Sequence, residues 1–321
     1  MNVKMAVTEY RFIDNIVVNK SVSSSMLVHN SSRSDLMITP DYEILYWNIY
    51  KKEYGIKSAK ELWDRKTGFS IPISSNSILK DLDISDDLLQ VIGWILTDGY
   101  ISVATLDNKV RGRRIGISQS KLNNINTIKL LLGRLDIPHT FSSRERNITS
   151  ICGRKLKKPP LPNCDFSFLS SSIRDKIMDM IPDGNSIQPW MWRLSDRQIL
   201  ILLGAIVDGD GTYRKSRDVQ FSTGIFTASA RAECVFGKRF FLSDLQGLLI
   251  THGIPCSLIK DIRGDYYLYL RKWHRWHISE HKENIKYTDV SWGVGIKDNG
   301  IFIRTGSGRS YIVGNLNDMV K

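Results

Sequence analysis

Two stretches of the chain carry nearly the same alternation of polar ends and apolar middle. The first opens Ser85-Asp86-Asp87-Leu88, stays largely apolar through Leu96 and closes on Asp98-Gly99-Tyr100. The second opens Ser195-Asp196-Arg197-Gln198, is apolar through Val207 and closes on Asp210-Gly211-Thr212-Tyr213. Runs of this length predict buried helices. Ser85 and Ser195 are suited to the N-cap, where a hydroxyl satisfies an orphan N–H of the first turn. Ser195 with Gln198 reads as a capping box, and Leu194 with Ile199 has the spacing of a hydrophobic staple. Each helix is expected to stop at Asp-Gly, with glycine in the left-handed conformation of a C-terminal cap.

The segments after each helix also match. Alternation predicts strands over 113–119 and 219–227, then helices over 125–135 and 232–251. Two further strands follow in each copy, over 139–146 and 148–152, and over 256–263 and 266–271. Ile137-Pro138 recurs as Ile254-Pro255, and Arg154-Lys155 as Arg271-Lys272, both at a separation of 117, whereas the aspartates are 112 apart. A longer early loop in the second copy accounts for the difference. The fold class expected is α+β: two pseudo-symmetric αββαββ units, over 81–183 and 184–283. The flanks, 1–80 and 284–321, hold short β-like runs such as Tyr42 to Trp47, with turns at Asp298-Asn299-Gly300 and Gly306-Ser307-Gly308.

Composition narrows the function classes. The chain has 321 residues, 42% hydrophobic and 24% charged, with a formal charge of +12, so its natural partners are nucleic acid or an anionic surface. The longest apolar stretch, Ile199 to Val207, is less than half a membrane span. With no signal-like start, the expected location is the cell interior: cytoplasmic, with an organelle or a phage-infected cell also open. Cys152, Cys164, Cys234 and Cys256 lack zinc-site spacing and are expected to be free thiols. Between residues 109 and 158 thirteen Lys/Arg face only Asp136 and Glu145, an excess suited to phosphate. Along the strand from Arg113, Ile115 and Ile117 are expected to face the helices, leaving Arg114, Gly116 and Ser118 for the partner. In the second copy Gln220 and Ser222 face outward by the same alternation.

An aspartate at a helix C-terminus opposes the helix dipole. Two such helices side by side bring like charges together, a conflict that a divalent cation with oxygen ligands resolves. Gly93 on one helix, and Gly204 with Ala205 on the other, allow close contact. A single Asp-Gly is ordinarily just a turn; its duplication inside matching units argues for more.

The segments Val91-Ile92-Gly93-Trp94-Ile95-Leu96-Thr97-Asp98-Gly99 and Leu203-Gly204-Ala205-Ile206-Val207-Asp208-Gly209-Asp210-Gly211 resemble the paired motifs of single-chain LAGLIDADG homing endonucleases. The first keeps the glycine at the third place and has Leu96 at the earlier acidic one; the second has both acidic residues but Ala205 at the third place. The resemblance implies motif helices at the interface of the two units and curved sheets astride the DNA major groove. It implies Mg2+ or another divalent ion on Asp98 and Asp210, with Lys155 and Lys272 as the basic residues assisting catalysis. The DNA-contacting set expected on the strands is Arg111, Arg113, Arg114, Ser118, Gln119, Arg144, Arg146, Arg214, Gln220, Ser222 and Arg263. The expected partner is a long double-stranded DNA site, bound by a monomer with internal pseudo-twofold symmetry and cut on both strands, promoting mobility of its own gene. The alternative is a non-cleaving DNA- or RNA-binding descendant, a maturase or a regulator, on the same scaffold.

His274, His277 and His281 have helical spacing beside Trp273 and Trp276 and read as a packed or solvated face rather than a zinc site. Leu36 to Tyr42 resembles the intein (Hint) segment with Thr-x-x-His, Tyr42 standing at the histidine. Asn299 to Asn315 resembles an intein C-terminus followed by Leu316. With Met1 at the other junction, no splicing nucleophile is present. The ends are therefore expected to form a small, mostly-β, degenerate Hint-like domain that does not splice.

Overall fold

In the computed structural model the residues described are 7–8, 15–30, 35–106, 109–145, 150–151, 154–155, 160–213, 232–237, 239–260, 262, 264–271, 274–280, 282–295, 301–304 and 310–313. They form an α+β structure. Six helices, α1 (Ala59–Trp63), α2 (Asp86–Asp98), α3 (Leu122–Arg134), α4 (Ser172–Met180), α5 (Asp196–Asp210) and α6 (Arg239–Ile250), accompany mainly antiparallel sheets. The chain divides into two compact units, 81–241 and 1–80 with 242–321. The second division falls within α6, inside the stretch assigned by sequence to the second repeat. None of the described helices is long and apolar enough to cross a membrane.

The unit over 81–241 is built around α2 and α5. Ser85 accepts from the amide of Leu88, and Ser195 from that of Gln198, with the full capping box present. The two N-termini are tied together. Arg197 of α5 makes ion pairs with Asp81 at 2.6 Å and with Asp86 of α2 at 2.8 Å. The wholly buried Gln198 accepts from the Leu82 amide at 2.9 Å and donates to its carbonyl at 2.8 Å. Such exposed ion pairs contribute little individually; the buried amide, fully satisfied, fixes the entry of both helices.

Further along, the helices come into backbone-level contact. A Cβ placed on Gly93 would lie 2.6 Å from Cβ of Ala205 and 3.0 Å from the Leu202 carbonyl oxygen. One turn later, a Cβ on Gly209 would lie 2.2 Å from Oγ1 of Thr97. Gly93 and Ala205 hold the third place of their motifs, and Thr97 and Gly209 the seventh. Equivalent positions thus meet each other.

Both helices run straight into strands, and here the left-handed cap expected at Asp-Gly is corrected. Gly99 has φ −90° and ψ 168°, and Gly211 φ −101° and ψ 170°, both extended. Glycine is needed for another reason. A Cβ would sit 2.4 Å from the Ile95 carbonyl oxygen at Gly99, and 2.5 Å from that of Val207 at Gly211.

After α2, the strands Gly99–Leu106 and Lys109–Gln119 join Asn163–Phe168 and His139–Arg144 in one antiparallel sheet, in the order 139–144, 163–168, 109–119, 99–106. The inner strand Asn163–Phe168 was not foreseen, although Cys164, Phe166 and Phe168 are buried in strict alternation. Ile115, Ile117 and Phe166 are fully buried, and α3 contributes Ile125, Ile128, Leu131 and Leu132 to the core. In the second copy, residues 232–237 form a strand and the helix starts only at Arg239, correcting the helix expected from 232. Cys234, Val235 and Phe236 favour a strand, and Gly237 separates them from the helix.

The other unit is mostly β. Asn15–Asn30 pairs along its length with Lys282–Gly295, so the two ends of the chain share a sheet. A second sheet has the order 275–278, 69–72, 43–48, 53–58. Its core gathers Leu27, Leu36, Ile38, Tyr42, Ile44, Leu62, Phe69, Ile71 and Ile278. The helical spacing read into the histidines is also corrected. Arg275–Ile278 is a strand, and His274 and His277 hydrogen-bond Ser74 and Ser70 at 2.9 and 3.1 Å; His281 lies outside the described residues. Cys164 and Cys256 are free and buried, and burial pushes the Cys256 thiol up.

Overpacking costs typically about 1–3 kcal/mol, more than the roughly 1 kcal/mol that alanine gains over glycine within a helix. Gly93→Ala is therefore expected to lower the urea midpoint with an unchanged m-value, and Ala205→Gly added to it to recover part of the loss. Urea titrations followed by circular dichroism check this; a Gly93→Ala chain more stable than its parent contradicts the close crossing.

Candidate active site

The crossing delivers two acidic side chains to one place. Asp98 is the last residue of α2 and Asp210 the last of α5. The contact is close enough that the Cβ position on Gly209 lies 3.0 Å from Oδ2 of Asp98. Asp98 is half-buried, and its carboxyl is raised from 3.8 to about 6 by burial and then by the charge of Asp210. Asp210 reaches solvent on one side, yet surrounding protein strips enough of its hydration to hold its carboxyl above the usual value as well.

Three residues from the end of the strand Lys109–Gln119 to the first turn of α3 answer this local negative charge. Gln119 donates from Nε2 to Oδ2 of Asp98 at 2.8 Å, while its own Oε1 accepts from the amides of Ser120 and Lys121. Lys121 donates from Nζ to the carbonyl oxygens of Gly209 at 3.1 Å and Asp208 at 3.4 Å. Its charge lowers both carboxyl pKa values, opposing the effect of burial. Asn124 donates to the Asp208 carbonyl at 2.9 Å. A cation at the carbonyl end of α5 offsets the helix dipole and so permits Asp210 to end that helix.

Gln119 thus departs from its expected role on the DNA side. It is 5% exposed, because it shares the parity of Ile115 and Ile117 and so faces the helices. Arg113, exposed, shares that parity too. On the opposite face, registers place Arg114, Ser118, Ser142 and Arg144 together, with Arg114 and Arg144 exposed. Lys155 lies in a two-residue strand paired with Ser150; its side chain, like that of Arg111, is outside the described residues, as are Arg146, Arg214, Gln220, Ser222, Arg263 and Lys272. Lys121 went unremarked in the sequence because it belongs to neither motif. Only its place two residues beyond Gln119, at the N-cap of α3, sets it apart. Among the described residues no group of three or more His, Cys, Asp or Glu is arranged to hold a metal ion. The acidic set here is two carboxylates.

No family model matches the chain, and no curated protein matches it. Among solved structures it is similar to the homing endonuclease I-DmoI, at 13% identity over 58% of this chain and 89% of that one, with a TM-score of 0.39. It is similar to the N-terminal LAGLIDADG domain of DUF199/WhiA, at 14% identity over 58% and 75% of the two chains, with a TM-score of 0.35. A further similarity is to the homing endonuclease I-WcaI bound to its DNA recognition sequence, at 13% identity over 58% and 75%, with a TM-score of 0.35.

A carboxyl raised in the folded state binds its proton more tightly there than in the unfolded chain. The stability from neutral Asp98 is therefore complete below pH 4 and lost as pH rises through about 6. At pH 7, without metal, Asp98→Asn is expected to melt above the parent, and at pH 4 the gap should close. Thermal melts across that range check this; an Asp98→Asn chain less stable at pH 7 than at pH 4, relative to the parent, contradicts it.

Proposed function

We propose that the chain is a divalent-metal-dependent endonuclease that binds a long double-stranded DNA site and cleaves both strands, promoting the mobility of its own gene. The observation that carries this reading is the meeting of Asp98 and Asp210 at the ends of two helices in direct contact, both carboxyls raised and only partly offset by Lys121. Two carboxylates with excess local negative charge are a hard-oxygen donor set, which fits Mg2+ with its remaining positions taken by water and phosphate. When bound, such an ion supplies Lewis acidity and an activated water against a phosphodiester. Asp98 and Asp210 are the residues that would hold it.

The chain's own contribution is orientation and charge. Gln119 pins Oδ2 of Asp98 and fixes its rotamer. The ammonium of Lys121, at the same helix end, stabilises negative charge building up on a nearby phosphate. Arg114 and Arg144 on the helix-free sheet face provide phosphate contacts that hold the duplex. Lys155 and Lys272 are retained as candidate basic residues.

Matching motif positions meeting across the crossing support two pseudo-symmetric units within a monomer. Pairing of Asn15–Asn30 with Lys282–Gly295 supports reading the chain ends as a degenerate Hint-like domain with the nuclease inserted. Tyr42, buried in that domain's core, stands where the resemblance has the catalytic histidine, and leaves the domain without that group.

Incubated with a plasmid library in Mg2+, the parent is expected to linearise a subset of targets, whereas Asp98→Asn and Asp210→Asn each cut at least about a hundredfold more slowly with folding and DNA affinity retained. A parent that binds but never cleaves favours the non-cleaving alternative; a variant cutting at the parental rate removes that aspartate from the site. Affinity should also fall steeply with salt, since each phosphate neutralised releases counterions, and Arg144→Ala should flatten the slope. Gel-shift titrations from low to physiological salt check this, and a salt-indifferent affinity contradicts the arginine face.

A further inference from the structure

On the helix-free face of the sheet, one carboxylate sits among the hydroxyls. Asp165, on the inner strand Asn163–Phe168, accepts from Ser118 Oγ at Oδ1 (2.7 Å) and from Ser167 Oγ at Oδ2 (3.2 Å). The Tyr100 hydroxyl lies 3.2 Å from the same Oδ2 and 2.7 Å from Ser167 Oγ. Tyr100 reaches it by lying across Gly116: a Cβ there would meet the phenol oxygen at 2.6 Å. Arg114, on the same face, is near enough for its charge to act on the phenol.

A carboxylate on a face that meets phosphates is unfavourable unless it does something there. Ionised Asp offers about four acceptor positions. Oδ2 faces two hydroxyls, which also bond each other, but Oδ1 has Ser118 as its one partner among the described residues. One lone pair thus stays open on an atom whose position three hydroxyl side chains fix in advance.

We propose that Asp165 reads a base: its Oδ1 accepts a hydrogen bond from the exocyclic amine of a cytosine in the major groove, with Ser118, Tyr100 and Ser167 as positioning residues. This rests on the reading of that face as the DNA-binding surface. Cytosine is the match because it offers the N4 amine alone at that edge. Adenine pairs its N6 amine with the N7 acceptor, which repels a carboxylate and suits an amide instead. The arrangement therefore sets both the preference and the way it should change on mutation.

The test is selection of bound sequences from a randomised duplex library by the full chain, in Ca2+ and without Mg2+. The parent should prefer cytosine at one position by roughly fivefold or more, the low end for a good base contact. Asp165→Asn should shift that one position from cytosine towards adenine, leave the remaining profile unchanged, and strengthen binding to unrelated duplex. Ser118→Ala, which keeps the carboxylate but frees it, should weaken the cytosine preference at the same position. An Asp165→Asn profile identical to the parent's, or one altered at every position alike, overturns the assignment while leaving the DNA-binding reading intact. A folded parent that fails to bind duplex at all overturns both.

Discussion

The contact between α2 and α5 is the constraint from which the rest follows. Helices usually pack with axes about 8–10 Å apart because side chains intervene. Here Gly93 meets Ala205 and Gly209 meets Thr97 with no room for one more carbon atom. Closeness at these points brings the helix ends together, and the helix ends carry Asp98 and Asp210. A crossing relaxed by larger side chains would separate the carboxylates and ease their repulsion. The fold therefore holds a local electrostatic cost in place through packing, while Arg197 and the buried Gln198 fasten the opposite ends of the same two helices.

That cost explains the neighbourhood of the site. Gln119 ends a sheet strand and Lys121 caps α3, so the sheet whose other face carries Arg114 and Arg144 also delivers the groups that temper the aspartates. The arginine-bearing face and the acidic pair are thus joined by one strand, Lys109–Gln119: its odd-numbered residues from Ile115 turn to the helices and to Asp98, and its even-numbered ones turn away. On the proposed function, a duplex resting on one face would be coupled to the acidic pair through residues only one position apart.

Much of this was legible in the sequence, since the duplicated apolar runs, the serine caps, the capping box and the paired aspartates are all local patterns. Tertiary relationships were harder to read. Gln119 was grouped with the outward residues although strand parity already placed it with Ile115 and Ile117. Lys121 becomes meaningful only once α3 is known to begin beside the end of α5. The glycines after each aspartate suggested a left-handed cap, but the chain continues directly into a strand, and glycine is required by the carbonyl four residues back. Asn163–Phe168 was missed because the basic stretch before it drew the last strand too early, although its buried alternation of Cys164, Phe166 and Phe168 was there to be found. Similarly, His274 and His277 looked helical by spacing, yet His277 lies in the strand Arg275–Ile278, which pairs with Phe69–Pro72, and His274 stands just ahead of it.

Whether the two aspartates form a shared cation site is the central claim, and Mn2+ binding measured by electron paramagnetic resonance addresses it directly. With duplex DNA present at neutral pH, the parent chain should take up Mn2+ in competition with Mg2+, and Asp98→Asn and Asp210→Asn should each lose most of that uptake while remaining folded. Equal Mn2+ uptake by the parent and both variants would show that the carboxylates meet for some reason other than holding a metal.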